Sequence, residues 1–158
     1  MTKNNIYTMK INTPISKLGI KYDDNFIYEI RWENDIIFAE EYKQNHLSDA
    51  IKKQFDEYFV GNRKKFKLPY KLNITGFFVD CLTELMRVQY GTTTTYKDIA
   101  NKLGNPNAAR AVGNAMNINP IPLIIPCHRV IGSNGKLVGF RSGLDNKQWL
   151  LNFEKNNR

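Results

Sequence analysis

The sequence has few residues that could bind a metal or form a cross-link. Its 158 residues include two cysteines and two histidines. These are Cys81, Cys127, His46 and His128. They do not lie at the spacings of a zinc site, and a pair of cysteines in an intracellular chain is more often free than bridged. The sequence therefore predicts a protein that has neither a metal site nor a disulfide framework.

Long apolar runs are missing as well. No stretch approaches the roughly 20 apolar residues of a membrane-spanning helix, and residues 1–7 contain no apolar core of a signal peptide. We therefore expect a cytoplasmic protein that does not associate with a membrane. Disorder is not expected, because hydrophobic residues make up 42% and aromatic residues 12% of the chain, enough to form a core.

Acidic residues are in the minority. The chain has 15 Asp and Glu against 23 Lys and Arg, which gives a net charge of +8. Such a surplus favours a polyanionic partner, although a solvated lysine-rich surface would give the same count. The charge balance alone does not decide between the two interpretations.

The first 72 residues have the pattern of a small sheet followed by a helix. Apolar runs predict short strands at residues 6–12, 18–22, 26–32 and 36–39, with a polar turn at residues 23–25. From Leu47 onward, apolar residues recur at three- and four-residue steps, which predicts a helix that ends at Gly61. Pro69 and the polar residues after it indicate a domain boundary near residue 72.

The remaining residues have mainly helical patterns. A helix beginning near Thr75 would bury one apolar stripe. This stripe consists of Phe77, Phe78, Cys81, Leu82, Leu85 and Met86. Cys81 is therefore interpreted as a structural residue.

Two further helices follow in close succession. Thr95 and Asp98 resemble a capping box at the start of the first, Gly104 ends it, and Asn107 can cap the second. Two helices joined by a glycine-containing turn give the outline of a helix-turn-helix, which many helical hairpins share.

The second of these helices has small side chains. Its small residues are Ala108, Ala109, Ala111, Gly113 and Ala115. A glycine inside a helix costs about 1 kcal/mol relative to alanine, so this surface suggests close approach to another molecule. Tight packing against a second helix is the alternative. Arg110 is the one long cation here.

A proline-rich segment precedes the second cysteine. Three prolines in residues 120–126 exclude a helix, and their apolar neighbours must be buried. We expect a rigid, extended segment that ends at Cys127 and is followed by His128 and Arg129. From spacing alone, Cys127 fits either a small buried hydrophobe or a nucleophile activated by a neighbouring base.

The sequence Pro-Cys-His-Arg-Val at residues 126–130 resembles the acceptor-cysteine motif of the O6-alkylguanine-DNA alkyltransferases, the methylated-DNA–protein-cysteine methyltransferases. The similarity covers residues 77–154, about half the chain, with several motifs in the right order. It implies an α+β fold with two domains. Residues 1–72 would form an RNase H-like domain with a small antiparallel sheet and a helix. Residues 73–158 would form a helical domain that binds DNA, carries the alkyl acceptor and contains a helix-turn-helix of winged-helix type.

The resemblance also implies a reaction. A damaged guanine is rotated out of the duplex, and Cys127 takes the alkyl group from its O6 atom in one irreversible event, with O4-alkylthymine left open as a second substrate. His128, reached through a water, would take the thiol proton, and Glu154 would orient His128. Asn119 would be the hinge whose amide ties the neighbouring turn together. No cofactor is implied, because the DNA is the alkyl donor.

The partner implied by the resemblance is double-stranded DNA that carries O6-alkylguanine and is bound through the minor groove by a monomer. Tyr96 would donate to the guanine ring and help rotate the nucleotide, and Arg110 would fill the gap that it leaves. Ala109 and Gly113 would lie against the narrow groove. Arg129 is expected among the DNA-binding residues.

Four positions depart from the family pattern, which bears on pocket shape and on the range of alkyl groups. They are Leu82, Gln89, Phe140 and Arg141. Three rival interpretations remain: a lesion-recognition protein without chemistry, a helix-turn-helix transcription factor, and a cysteine hydrolase. The acceptor cysteine argues against the first, the second leaves the motif at residues 126–130 unexplained, and the third gives the small-residue helix no purpose.

Overall fold

The structure, a computed structural model, describes residues 5–35 and 40–158. The chain divides into two compact units, Met1–Leu72 and Asn73–Arg158. The strand expected at residues 36–39 lies outside the described residues.

The first unit is built on a three-stranded antiparallel sheet. Its strands, in spatial and chain order, are β1 (Tyr7–Asn12), β2 (Lys17–Tyr22) and β3 (Ile27–Trp32). The register places Met9 opposite Ile20 and Ile20 opposite Ile30. All three side chains are buried, so one face of the sheet carries the core. The three strands predicted in this region are confirmed.

A single 3-10 turn (Glu33–Asp35) follows the sheet, and α1 (His46–Phe59) is the α-helix described for this unit. Asn45 caps it: its side chain accepts a hydrogen bond from Ser48 N (2.7 Å), and the Ser48 hydroxyl accepts one from Asn45 N (2.9 Å). The helix ends just before Gly61, which has φ of 83°. The predicted helix is therefore confirmed, with its start one residue earlier than the apolar pattern suggested.

The second unit is mainly helical. Its helices are α2 (Phe77–Leu85), α3 (Tyr96–Lys102), α4 (Ala109–Asn117) and α5 (Leu144–Asn156). Two short strands, β4 (Thr94–Thr95) and β5 (Val130–Ile131), pair in parallel. This pairing joins the start of α3 to the residues that follow Cys127. A tight turn follows Ile131, with Gly135 N donating to Gly132 O (2.9 Å).

Helix α2 is shorter than the sequence suggested. It begins after Gly76, which has φ of 71°, so Thr75 does not cap it. Phe78 and Met86 are 36% and 37% exposed instead of buried. A helix of nine residues buries only a narrow stripe, which here consists of Cys81, Leu82 and Leu85. Cys81 lies in that stripe, as expected.

Helices α3 and α4 form the expected helix–turn–helix outline. The Thr95 hydroxyl accepts a hydrogen bond from Asp98 N (3.0 Å), which confirms the predicted cap of α3. Gly104, with φ of 74°, reverses the chain after α3. The predicted cap of α4 is wrong: α4 follows Ala108 without a side-chain cap. Ala108 N instead donates to Asn105 O (3.0 Å) within the connecting turn, so Asn107 is not needed there.

Candidate active site

The proline-rich segment before Cys127 is folded into a tight turn, which corrects the expectation of an extended segment. The chain reverses at Leu123, the one non-glycine residue with positive φ (74°) among those described, and Ile125 N donates to Ile121 O (3.0 Å). The buried amide of Asn119 holds this turn, donating to Ile125 O (2.9 Å) and accepting from Ile121 N (3.1 Å). The left-handed conformation costs about 1–2 kcal/mol for a side chain other than glycine, so it persists only because its surroundings fix it.

Cys127 begins a single 3-10 turn, Cys127–Arg129, directly after this segment. The thiol residue is 8% exposed, and His128 is fully buried. Val130 then pairs with Thr94 across the short parallel ladder. The cysteine and the histidine are therefore fixed by backbone on both sides.

Helix α5 brings Glu154 to this turn from far along the chain. His128 Nε2 lies 2.8 Å from Glu154 Oε2. Arg129 donates to the same carboxylate from Nε (2.8 Å to Oε1) and Nη2 (3.0 Å to Oε2). The Glu154 side chain is 1% exposed, so this carboxylate is buried although it lies near the C-terminal end of a helix.

Arg129 does not lie at a DNA-facing surface, contrary to the sequence-based expectation. It is 7% exposed, and its remaining Nη1 donates to Val88 O (2.9 Å). Its guanidinium matches the planar geometry of a carboxylate, which it binds here in a bidentate manner. Arg129 therefore holds Glu154 and is not available to a phosphate.

These contacts determine the protonation states of Glu154 and His128. Burial alone would raise the pKa of Glu154, but hydrogen bonds from His128 and Arg129 outweigh it and hold that pKa well below its usual range. Burial lowers the pKa of His128 although Glu154 opposes the shift. A neutral imidazole facing a carboxylate carries its proton on Nε2, so Nδ1 keeps a lone pair. Nδ1 is buried and has no hydrogen-bond partner among the described residues.

The thiol of Cys127 is subject to opposing influences. Burial raises its pKa, while the Asn119 side chain, the positive charge of Lys147 and the backbone N–H groups of the 3-10 turn lower it. Sequence reasoning missed Lys147, because a lysine in a polar helix is usually on the surface. One signal could have found it: Lys147, Leu150 and Glu154 recur at helical spacing, on one face of α5.

A cavity of about 450 Å³ opens onto the small-residue helix. Ala109, Arg110 and Gly113 of α4 line it, together with Tyr96 and the loop residue Val138. A Cβ atom on Gly113 would lie 3.9 Å from the Tyr96 ring, an ordinary van der Waals distance, so packing against that ring does not require a glycine. Packing accounts for the small residues Ala108 and Ala115, which are buried, and not for Gly113.

Cys127 is not among the residues that line this cavity. Tyr96 connects the two: burial and the charge of the Cys127 thiolate raise the pKa of Tyr96. The Tyr96 hydroxyl donates to Val138 O (2.9 Å), and this hydrogen bond joins two residues of the cavity lining.

Metal ligands are not clustered in residues 5–35 and 40–158. No group of three or more His, Cys, Asp or Glu side chains there could hold a metal ion. Both cysteines are free thiols. No helix in the same ranges has the length and apolarity needed to cross a membrane.

The fold and the site together define a protein in which a buried cysteine, followed by a histidine that contacts a buried glutamate, lies in the same unit as a helix-turn-helix. Residues 76–156, about half the chain, match the family model described as 6-O-methylguanine DNA methyltransferase, DNA binding domain. The chain belongs to this family, the methylated-DNA–protein-cysteine methyltransferases, as the sequence motif indicated.

Several relatives carry that name. The chain is 50% identical over 105 residues to the methylated-DNA–protein-cysteine methyltransferase of Methanosarcina barkeri. The aligned residues make up 66% of this chain and 66% of that relative, just under two thirds of its length. It is 37% identical over 160 residues to the constitutive enzyme of Bacillus subtilis, over 96% of each chain. Among solved structures, Mycobacterium tuberculosis OGT in complex with DNA has a TM-score of 0.85 and 34% identity, covering 94% of this chain and 92% of that one.

Proposed function

We propose that this protein repairs O6-alkylguanine in DNA by transferring the alkyl group to Cys127, once per molecule. The observation that carries the proposal is the buried contact of His128 with Glu154 directly beside the acceptor cysteine, 2.8 Å between Nε2 and Oε2. This is the arrangement of a nucleophile, a base and an orienting carboxylate. The family of the chain supports the same reaction.

The proton of the thiol would leave through His128. Because Nε2 donates to Glu154, Nδ1 is the atom that can accept, and we assign it the thiol proton by way of one bridging water. Arg129 keeps Glu154 ionised through two charge-assisted hydrogen bonds. The carboxylate then stabilises the imidazolium that forms, which makes proton removal from a buried thiol feasible.

The chemical step is a displacement at the alkyl carbon. The Cys127 sulfur forms a bond to that carbon while the bond from carbon to guanine O6 breaks, and the electron pair stays with the guanine. Tyr96 would donate a proton to the ring, which requires its hydroxyl to leave Val138 O. The product is a thioether with no carbonyl for water to attack, so the thiol is not regenerated. The same displacement is open to O4-alkylthymine.

The DNA contacts are assigned to the second unit. We infer that residues 73–158 form a DNA-binding and acceptor domain of winged-helix type and that α4 enters the minor groove. Arg110 is exposed and lines the 450 Å³ cavity, a position from which it can fill the gap left by a rotated base. Ala109 and Gly113 leave room for the groove. The net charge of +8 fits a phosphate backbone partner.

The remaining assignments concern the first unit and the cellular setting. The three-stranded sheet with one helix fits an RNase H-like domain for residues 1–72. We further propose that the protein is cytoplasmic, because both cysteines are free, as is usual in a reducing compartment. We also propose that it acts as a monomer, because one acceptor cysteine is enough for one lesion. Light scattering at micromolar protein concentration, with and without a DNA duplex, tests the monomer.

Intact-mass spectrometry tests the reaction itself. The protein is mixed with excess duplex DNA containing one O6-methylguanine, and we expect a gain of one methylene per protein, located on Cys127 by peptide mapping. Cys127→Ala is expected to bind the duplex and to gain nothing. A protein without the gain, or one that clears many equivalents of lesion, would be a lesion-recognition protein or a hydrolase instead.

A further inference from the structure

Lys147 is a buried lysine for which the reaction described above has no role. It lies in α5, one turn after the helix begins, and is 1% exposed. Moving an ammonium out of water is costly unless another charge or several hydrogen bonds compensate. Within the described part of the chain, no carboxylate forms an ion pair with it. Glu154, on the same helix face, is occupied by His128 and Arg129.

The contacts of the Lys147 ammonium are neutral. Nζ donates to Val138 O (3.2 Å) and Gly139 O (3.4 Å). It lies 5.9 Å from the centre of the Tyr96 ring and 6.0 Å from that of Phe140. Carbonyl dipoles and ring faces stabilise a cation, but they supply no formal negative charge.

One group on the turn against which α5 packs can become negative, the thiol of Cys127. Glu154, seven residues after Lys147 on the same face of α5, contacts His128, the neighbour of Cys127, at 2.8 Å, so this face of the helix lies against the turn that carries the thiol. The Lys147 charge lowers the pKa of the Cys127 thiol against the larger effect of burial. In the other direction, burial lowers the pKa of Lys147 and the Cys127 thiolate raises it. The other titratable groups that face this thiol are Tyr96, which its charge also affects, and His128, which follows it in the chain. Neither of them is cationic in the resting state argued above.

We propose that Lys147 is the counter-charge of the Cys127 thiolate and the residue that holds the loop beside it. This inference rests on the proposed alkyl transfer and deepens it. When His128 removes the thiol proton, the new negative charge faces an ammonium already fixed in place, so no solvent has to reorganise. Lys147 acts through Cys127, as a positioning residue.

Lys147 also holds a loop residue of the cavity lining, Val138. Val138 O accepts hydrogen bonds from both the Tyr96 hydroxyl and Lys147 Nζ. If Tyr96 turns toward an incoming base, the carbonyl keeps its second donor. Lys147 therefore keeps the loop at Val138 in place while the Tyr96 side chain moves.

Alkylation by iodoacetamide tests the counter-charge without DNA. The rate at Cys127 is followed against pH by peptide mass spectrometry, with the fully buried Cys81 as internal reference. In Lys147→Met the pH midpoint for Cys127 is expected to rise by about one unit, which makes the reaction about tenfold slower near pH 7. Lys147→Arg, which keeps the charge, is expected to restore most of the rate. Lys155→Met, which removes an exposed lysine of the same helix, is expected to match the wild type.

The outcomes separate the two proposals. An unchanged pH midpoint for Cys127 in Lys147→Met overturns the counter-charge role. This holds even if the alkylation rate falls by the same factor at every pH, because a lysine that only anchored the loop would change the rate without changing the midpoint. Thermal unfolding shows that the variant is folded; removing a buried charge is expected to leave its melting temperature equal or higher. Failure of the wild type to take a methyl group from DNA would defeat the proposed function and would leave the midpoint measurement intact.

Discussion

The two cysteines of this chain are both buried, but their surroundings differ, and this difference separates the proposed acceptor Cys127 from the structural Cys81. Cys81 is 0% exposed and Cys127 8% exposed. Burial, with the nearby charge of Asp80, raises the pKa of Cys81 to about 11. Burial raises the pKa of Cys127 too, but there an amide and an ammonium oppose it. Exposure therefore does not distinguish the two; their polar neighbours do.

The neighbours of the two thiols come from different places in the chain. Cys81 lies on α2, where it shares the buried stripe of that helix with Leu82 and Leu85. The turn that begins with Cys127 has groups from several elements around it: Asn119 after α4, and Lys147 and Glu154 from α5. The position of Cys81 in a buried stripe can thus be predicted from its own helix, whereas the polar surroundings of Cys127 come from several separate elements of the tertiary fold.

The most severe way to break this comparison is to exchange each sulfur for oxygen. Cys127→Ser is expected to take no alkyl group from O6-methylguanine DNA, because a buried hydroxyl is far too weak an acid to replace the thiol. Cys81→Ser is expected to take one full equivalent and to lose about 1–3 kcal/mol of stability from an unpaired hydroxyl in an apolar stripe. Intact mass and urea unfolding measure the two effects. Methylation found on Cys81 would contradict the assignment.

The second test removes the carboxylate of Glu154, which is proposed to orient His128. Glu154→Gln is expected to slow alkyl transfer by about 10²–10⁴-fold, because an amide can select the wrong histidine tautomer. It is also expected to cost about 3–5 kcal/mol, because Arg129 stays buried without its partner charge. Single-turnover kinetics and denaturant unfolding report these effects. Iodoacetamide alkylation is expected to slow at Cys127 and not at Cys81.

A matched variant controls for the loss of a glutamate in general. Glu84→Gln removes a carboxylate whose partner Arg87, 3.2 Å away, has a 74% exposed side chain. The Glu84 side chain itself is 12% exposed, and its second partner Lys102, 4.0 Å away, is 61% exposed. Because both cations stay in solvent when the carboxylate is replaced by an amide, the loss is expected to be about 1 kcal/mol or less, and stability and repair rate are expected to change little. Equal effects from the two variants would show that Glu154 acts only as one more ion pair.

Local signals predicted most of the fold. The alternation of residues 7–32, the step pattern of α1 and the hydroxyl of Thr95 each act within a few residues, and each feature is present. The errors are local as well: Asn107 could cap α4 by pattern, but the connecting turn satisfies Ala108 through Asn105 instead. Helix ends depend on such competing turns.

The site was predicted unevenly for a physical reason. The motif around Cys127 lies within five residues, so its identity could be read directly, and Glu154 came with the resemblance. Lys147 and the pairing of Arg129 with Glu154 arise because α5 packs on the 3-10 turn. The spacing that puts Lys147 on one face of α5 with Leu150 and Glu154 was the one available signal, and spacing alone does not show which face of a polar helix is buried. The reversal at Leu123 was likewise hidden, since prolines indicate extended backbone and leucine rarely adopts positive φ.

The third test follows the rate of repair against pH. The pKa of His128 lies below its usual 6.5 because the ring is buried, so the imidazole stays neutral where an ordinary histidine is half protonated. Between pH 8 and 6.5 the transfer rate is expected to change less than twofold on account of His128. Below the lowered pKa it is expected to fall tenfold per unit. Rapid-quench rates from pH 5 to 8, corrected for unfolding, give the profile. A midpoint at or above 6.5 would place His128 in contact with water.

The test with the smallest expected effect concerns Cys81 and the change of the free energy of unfolding with pH. The pKa of Cys81 is about 11 in the folded protein, against 9.0 as its ordinary value. The folded state therefore binds the thiol proton more tightly, and this contribution is complete below pH 9 and lost as the pH rises toward 11. Wild-type stability is expected to fall faster over this range than that of Cys81→Ala, by at most about 1.4 kcal/mol per pH unit. Urea midpoints at pH 8, 9 and 10 measure the difference, and parallel curves for the two proteins would mean that Cys81 ionises as readily in the fold as outside it.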